Sequence, residues 1–345
     1  MLVTQQPTLK RFWYPVARST DIQDRPHACR FFGEDVALWR LPDGRPAAVI
    51  DRCLHRTAKL SLGTVEGCEI RCPYHGWAYD RSGVCTRVPQ LGGRQLGGRA
   101  RLASFHAQEA HGYIWICAGE PLADIPHIPE AEERGMRRIH EFFAPWRASA
   151  LRILENVFDM AHINVVHAGT FGLQGTEHPP QFNIQEFVGG FHMQTSFDVN
   201  NPEAQQQNLG IAGTRTVRTL DKTWYLPFGR RMRISYPHGL VHTIMNWATP
   251  LDDRTTRMVQ FVYRNDTEDD AKTADIIEWD RRVTEEDRVV LESTAWDTPL
   301  RIDSECHMPS DRPGIIMRRR IAALLAAHGE TEVTKMPGKF YVEPD

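Results

Sequence analysis

The sequence predicts an α+β chain of two domains, on three observations. Short apolar runs broken by turn residues crowd the first third, longer strand-like stretches follow, and helical patterns come mostly after them. Proline breaks at Pro121, Pro126 and Pro129 separate the first texture from the second. At 345 residues the chain is also long for a single domain. The expected division is a β-rich domain over 1–135 and an antiparallel sheet with helices over 136–345.

In the first domain, Val36–Trp39 and Ala47–Ile50 flank Pro42-Asp43-Gly44, a hairpin signature. Trp77-Ala78-Tyr79 runs into the turn Asp80–Gly83, and Gly112–Cys117 reads as a buried strand. In the second domain a helix is expected from about Ala150 to His167, then strands between Phe182 and Tyr263. Asn200–Gly213, with its three consecutive glutamines, reads as a mobile loop over a pocket. Helices are expected near 270–296 and 312–328, the last stopped by Gly329.

Composition excludes several classes. A formal charge of −3 does not make the basic footprint of a nucleic-acid surface. No apolar run approaches the ~20 residues of a membrane helix, and the first 25 residues lack the apolar core of a signal peptide. The reading is cytoplasmic. Seven cysteines at irregular spacings are poor material for a disulfide framework.

Two of those cysteines belong to a metal-like pattern. Cys53-x-His55 and Cys72-x-x-His75 place two thiols and two imidazoles on loops separated by 16 residues. Such a set closes a tetrahedral zinc site, or holds a diiron cluster with cysteines on one iron and histidines on the other. Spacing alone leaves both open. The strand-rich context, and Trp77 as a shield against water, favour the cluster.

A second pattern lies near 150–167. Ile153, Leu154, Val157, Phe158, Ala161 and Val165 make an apolar face, and Asn156, Asp159 and His162 a polar row at i, i+3 spacing. His167 follows His162 by five residues, so the two converge only where the helix ends or bends. Two histidines and a carboxylate form the facial triad of non-haem iron. At ~100° per residue, Ile276, Val283, Val290, Leu291 and Thr294 surround Asp287, while Glu285 and Glu292 point away. A buried carboxylate must be paired or bind metal, so a salt bridge remains the alternative. Asp280 is the fallback ligand and Asp311, in a proline turn, a weaker one.

Cys53-x-His55-Arg56, Leu60-Ser61-x-Gly63 and Cys72-Pro73-Tyr74-His75-Gly76-Trp77 resemble the Rieske domain of ring-hydroxylating and demethylating oxygenases. Leu54 departs from that pattern, which often carries proline there. The resemblance implies a [2Fe–2S] cluster on Cys53, His55, Cys72 and His75, and a mononuclear Fe(II) on His162, His167 and Asp287. It further implies that Asp159 bridges a neighbouring subunit's Rieske histidine to an iron-ligand histidine, and that Asn156 stands near the iron. Family members commonly form head-to-tail trimers.

The chain has no Gly-rich nucleotide fingerprint, so electrons are expected from a separate NAD(P)H reductase or ferredoxin. The compact length, Phe12–Val16, and the stretches Arg52-Cys53 and Ala58–Thr64 are similar to purine-alkaloid N-demethylases and related monooxygenases. The expected reaction is monooxygenation of an aromatic or N-heterocyclic compound by O₂, as hydroxylation or N- or O-demethylation. The alternatives are a cis-dihydroxylating dioxygenase, an electron-transfer Rieske protein and a zinc-binding interaction module. Trp224, Tyr225, Phe228, Tyr236 and Trp247 offer aromatic surface whose default is core packing. Arg215, Arg218, Arg230, Arg231 and Arg233 suit an anionic substrate, a solvated face or an acidic redox partner.

Overall fold

A computed structural model of the chain describes residues 1–92, 100–173, 175 and 178–335. It has the expected α+β character and divides into two compact units, Val3–Ile125 and Met1–Leu2 with Pro126–Asp345. Pro129–Ala131 belongs with the second unit because Glu130 is anchored there, as described below.

The first unit holds ten strands: β1 (Tyr14–Arg18), β2 (His27–Phe31), β3 (Glu34–Arg40), β4 (Pro46–Ile50), β5 (Thr64–Glu66), β6 (Glu69–Arg71), β7 (Ala78–Tyr79), β8 (Cys85–Arg87), β9 (Ser104–Ala110) and β10 (Tyr113–Cys117). They form a six-stranded sheet in the order β1-β10-β9-β4-β3-β2 and a four-stranded sheet β5-β6-β7-β8. The hairpin signature is realised in β3 and β4, which pair from Val36↔Ile50 to Arg40↔Pro46. Every residue of β10 is buried, as its unbroken apolar run requires. One apolar cluster in this unit joins Trp39, Leu60 and Tyr79 to Cys53 and Cys72, so two metal-pattern residues sit inside the core.

The second unit is built on one antiparallel sheet. Its strands are β11 (Arg137–Trp146), β12 (Phe182–Phe187), β13 (Gly190–Asn200), β14 (Arg215–Tyr225), β15 (Gly229–Ser235), β16 (Val241–Pro250) and β17 (Thr256–Arg264), in the order β11-β17-β16-β15-β14-β13-β12. The helices are α1 (Ala150–Phe158), α2 (Ile163–Val166), α3 (Glu203–Leu209), α4 (Thr273–Leu291) and α5 (Arg312–Ala327). Gly329 ends α5 as expected, its N–H donating to the Ala326 carbonyl. None of the helices is long and apolar enough to cross a membrane, among the described residues.

Two expectations are corrected. The helix over 150–167 is interrupted, because Asp159 is extended (φ −67°, ψ 141°) and its carboxylate accepts the Ala161 N–H at 2.7 Å. This side chain competes with the helical hydrogen bond, as aspartate does near a cap. Asn200–Gly213 is not an open loop: it contains α3, and Asn201, Gln205 and Asn208 are buried in it.

Strand alternation splits the arginine cluster of β15. Arg231 and Arg233 point to one face, where both pair with the buried Glu130, Arg233 at 3.0 Å, and Thr243 adds a hydrogen bond at 3.1 Å. Arg230 points to the other face. Burial alone would raise the Glu130 pKa, but the two guanidinium groups outweigh it and bring it down to about 2. A lowered folded-state pKa gives stability that is present above the unfolded value and lost as pH falls toward the folded one. Glu130→Gln should therefore destabilise this unit by about 3 kcal/mol at neutral pH, and the deficit should shrink below pH ~4. Thermal melts of both proteins at the two pH values check this; equal melting temperatures at pH 7 would remove Glu130 as an anchor.

Candidate metal centres and the cavity beside them

Two tight loops shape the first constellation. The Cys53 N–H reaches the Ala58 carbonyl (2.9 Å) and the Thr57 N–H returns to the Cys53 carbonyl (3.0 Å). The second loop repeats the device, with Cys72 N–H to the Trp77 carbonyl (2.8 Å) and Gly76 N–H to the Cys72 carbonyl (3.1 Å). Buried Asp51 fastens the first loop by accepting the Ser61 N–H (2.7 Å) and hydroxyl (2.6 Å). Gly63 is required next to it, because a Cβ there would lie 1.9 Å from the Arg71 carbonyl oxygen.

Cys53 and Cys72 are buried, whereas His55 and His75 are partly exposed with ring centroids 4.3 Å apart. His55 stacks on Trp77 at 4.8 Å. Gln90 pins the outer side by accepting from the Trp77 indole (3.1 Å) and donating to the His75 carbonyl (3.0 Å). Sequence reasoning missed Gln90, which carries no motif signal. The Tyr79 hydroxyl lies 3.1 Å from Cys53 Sγ and accepts the Leu54 N–H at 3.1 Å. Leucine at 54 thus supplies a donor that proline lacks.

These residues fit an iron–sulfur cluster better than zinc. Burial pushes the Cys72 thiol pKa up, with Cys53 beside it, so without a metal this thiol keeps its proton, and a bound metal would displace it. His55 Nδ1 is buried without a hydrogen-bond partner. Among the described residues, the two groups of three donor atoms that converge within 4.8 Å draw on none of these four. A single tetrahedral ion needs all four donors together, whereas a diiron cluster spreads them over two irons.

The second constellation does converge. His162 and His167 stand at the two ends of four-residue α2, and Asp287 faces them from α4. His162 Nε2 and His167 Nε2 lie 3.4 and 3.3 Å from the same oxygen, Asp287 Oδ1. Each imidazole turns its other nitrogen to a carboxylate: His162 Nδ1 to Asp159 Oδ2 at 3.3 Å, and His167 Nδ1 to Glu286 Oε2 at 2.9 Å. With Nδ1–H donated in this way, two Nε2 lone pairs and Asp287 Oδ1 face one another, and Asp287 Oδ1 has no hydrogen-bond partner. Three acceptors so placed need a cation between them, and two imidazoles with one carboxylate suit non-haem iron.

Electrostatics agree with the geometry. Burial would raise the Asp287 pKa, but the two imidazoles outweigh it and hold the carboxylate well below its usual range. Burial would lower His162, yet Asp159 and Asp287 raise it to about 9, so without a metal a proton takes the place on Nε2 that a cation would hold. Gly172 lets the loop after α2 fold back, since a Cβ there would lie 2.6 Å from the Ile163 carbonyl oxygen.

Glu286 was missed by the helical pattern. It binds His167 and also accepts from the Thr170 hydroxyl at 2.7 Å. Val290 is 46% exposed rather than part of the buried stripe. Glu292, expected to point away, accepts the Arg147 N–H at 3.0 Å. Both differences arise at the last turn of α4, where side chains follow the neighbouring chain more than the periodicity. Asp311 stays outside the group and caps its own turn through the Met308 N–H at 2.8 Å.

Asp280, the fallback ligand, belongs to a different buried group with Glu141 and His242. His242 Nε2 lies 3.3 Å from Asp280 Oδ2. Burial, with Asp280 adjoining, raises the Glu141 pKa well above the carboxylate range, whereas His242 beside Asp280 holds that carboxylate low.

A cavity of about 110 Å³ adjoins the His162–His167–Asp287 group. Its wall is largely apolar, with Trp146, Phe171, Phe197, Met232, Ile244 and Leu291, while Asn156 and Asp159 stand at its edge beside the histidines. The aromatics Trp224, Tyr225, Phe228, Tyr236 and Trp247 are not part of this wall, and all but the half-buried Tyr225 are core residues. The inward faces of β14 and β15 bring Arg218, Lys222 and Arg230 into the cavity.

Fold and site define a two-centre iron protein, with a cluster domain preceding a helix-and-sheet domain around a single metal. Comparison with known proteins agrees. Residues 12–106 match the Rieske [2Fe-2S] domain and residues 146–327 the vanillate O-demethylase oxygenase C-terminal domain. The chain is 30% identical to methylxanthine N1-demethylase NdmA of Pseudomonas putida, over 93% of its own length and 91% of the relative's. The structure of that protein with caffeine superposes with a TM-score of 0.81 at 28% identity, covering 95% and 94% of the two chains. Dicamba monooxygenase bound to 3,6-dichlorosalicylic acid, at 21% identity and TM-score 0.81 over 93% and 98% of the two chains, shares the fold. The chain belongs to the Rieske non-haem iron oxygenases, as a terminal oxygenase α-subunit. It is an oxidoreductase whose cofactors are a Rieske [2Fe–2S] cluster and a mononuclear non-haem iron.

Proposed function

We propose that Cys53, His55, Cys72 and His75 hold the cluster, that His162, His167 and Asp287 hold the mononuclear iron, and that the enzyme monooxygenates an aromatic or N-heterocyclic compound. The observation that carries this is the convergence of His162, His167 and Asp287 beside an apolar cavity. When bound, the iron supplies dioxygen reduction and the cluster supplies an electron toward it.

The chain's own residues set the conditions. Asp159 and Glu286 hold the two Nδ1–H groups, fixing the rings so that both Nε2 atoms face one point. The apolar wall excludes water and presses the substrate toward that point. Asn156 borders the same space and can orient a polar substrate atom. Asp159 keeps 29% of its side chain exposed, which suits a bridge to a Rieske histidine of the next subunit in a homotrimer. Electrons come from a separate NAD(P)H-oxidising reductase or ferredoxin, which places the enzyme in the cytoplasm.

Dioxygen, two electrons and two protons convert a substrate methyl into a hydroxymethyl and one water. On nitrogen or oxygen the hydroxymethyl group then leaves as formaldehyde. The test is incubation of the enzyme with a surrogate reductase, NADH and ¹⁸O₂ on methylated N-heterocycles and methoxyarenes, followed by mass spectrometry. One labelled oxygen in a hydroxylated product, or formaldehyde with the demethylated compound, is expected. A cis-dihydrodiol carrying two labels would contradict monooxygenation.

A further inference from the structure

Three cations line the cavity beside His162, His167 and Asp287, and each is less than one-tenth exposed: Arg218, Lys222 and Arg230. Their contacts, among the described residues, are neutral. Lys222 Nζ donates to the Val157 carbonyl (3.0 Å) and to the Met160 sulfur (3.4 Å). Arg230 donates to the same carbonyl (3.4 Å) and to the Asn246 amide oxygen. Arg218 lies over the Phe171 ring at 4.5 Å.

Capping explains part of this arrangement. Val157 is in the last turn of α1, where cations favour the carbonyl ends. A helix terminus offers only about half a negative charge, however, against two cationic side chains. Arg218 Nε and Arg230 Nε are buried and have no hydrogen-bond partner. The carboxylates of the wall are already engaged: Asp159 with His162, Asp280 with His242, and Asp287 with both iron-site histidines. Burial, with Arg230 beside it, holds Lys222 down to about 7, and burial holds Arg230 down to about 9. Asp159 and Asp287 act against the shift at Lys222, and Asp287 at Arg230; an anion bound here would restore the charge of Lys222. A divalent iron adds to that positive excess.

We propose that the cavity recognises a single-ring aromatic anion, with its carboxylate or sulfonate on Lys222 and Arg230 and Arg218 flanking it. This names the substrate class of the oxygenase site and rests on the reading of that site given above. The volume suits one ring, being of the order of the roughly 150 Å³ that admits a benzene. Arg230 is aimed by the sheet itself: it pairs in register with Asn246 and Asn246 with Gln260, and Gln260 donates to Glu141 at 2.5 Å. Guanidinium and ammonium donors in a dry wall favour a charged oxygen over a neutral amide, because charge-assisted hydrogen bonds are the stronger ones and a buried cation left without an anion is costly.

The test is calorimetric binding of benzoate, benzenesulfonate and benzamide to the two-centre enzyme, with iron content measured on the same sample. Benzoate or benzenesulfonate should bind at least about tenfold more tightly than benzamide, a difference of about 1.4 kcal/mol. Lys222→Met and Arg230→Gln should each reduce that preference, and Lys222→Arg should retain it. Melting temperature and cluster absorption identify any variant that fails to fold, and Lys222→Met is the mildest of them. Benzamide binding as tightly as both anions would overturn the proposal, as would an anion preference unchanged in folded Lys222→Met and Arg230→Gln, since the anion would then sit on the metal. A protein without mononuclear iron that still prefers benzoate would support the anion site while refuting the iron assignment, so the two readings fail separately.

Discussion

Replacing His162 with alanine removes the mononuclear iron and abolishes oxygenation, while the visible absorption of the cluster stays unchanged. His162 supplies one of three donors converging on a single point, and the remaining pair cannot hold ferrous iron in competition with water. The four residues proposed to hold the cluster lie in the other compact unit, so its colour has no reason to change. Cys72→Ala gives the complementary result, with loss of cluster absorption and turnover but a mononuclear site that still binds iron. Glu286→Gln is the graded case. The amide keeps the shape but loses the charge that holds His167 Nδ1–H, and iron affinity falls by about 10–100-fold. Iron analysis, absorption spectra and single-turnover assays on these variants distinguish the outcomes. A colourless protein with zinc in place of iron would end this description of both centres.

Asp159→Asn separates the two centres without emptying either. Asparagine preserves an acceptor for the Ala161 N–H, so the break between α1 and α2 persists. It carries no charge to stabilise a protonated imidazole, and with its oxygen kept on the Ala161 N–H its amide NH2 faces the His162 Nδ1–H, one donor against another. Cluster reduction by the external donor proceeds normally. Re-oxidation of the reduced cluster under O₂ and substrate slows by at least about tenfold, the scale on which such supporting carboxylates act. Stopped-flow absorption at the cluster band measures both steps. Re-oxidation at the wild-type rate would remove Asp159 from the electron path.

Much of the cluster loop architecture was legible because it is local. Cys53, His55, Cys72 and His75 lie on two short loops whose backbone hydrogen bonds close within six residues, so spacing alone carries the geometry. His162 and His167 were legible for the same reason. Asp287, some 120 residues away, was found through helical periodicity, which held for Ile276 and Leu291 and failed at Val290 near the end of α4.

Other features were decided by tertiary structure. Whether the 150–167 segment stays helical depends on one carboxylate choosing a backbone N–H two residues ahead, a competition no periodic pattern records. Glu286 became a partner of His167 only when α4 met the loop after α2, since its neighbours Glu285 and Asp287 look alike in sequence. The arginines of β14 and β15 read as one basic cluster along the chain. Strand alternation sends Arg231 and Arg233 to Glu130 and turns Arg230, with Arg218 and Lys222, into the cavity. Sequence carried the α+β frame by its patterns and the expectation of two iron centres by its resemblance to a family, because the motifs behind both lie within short loops and helices. What enters the cavity was decided by which face of each strand is buried, and that depends on pairing between residues far apart in the chain.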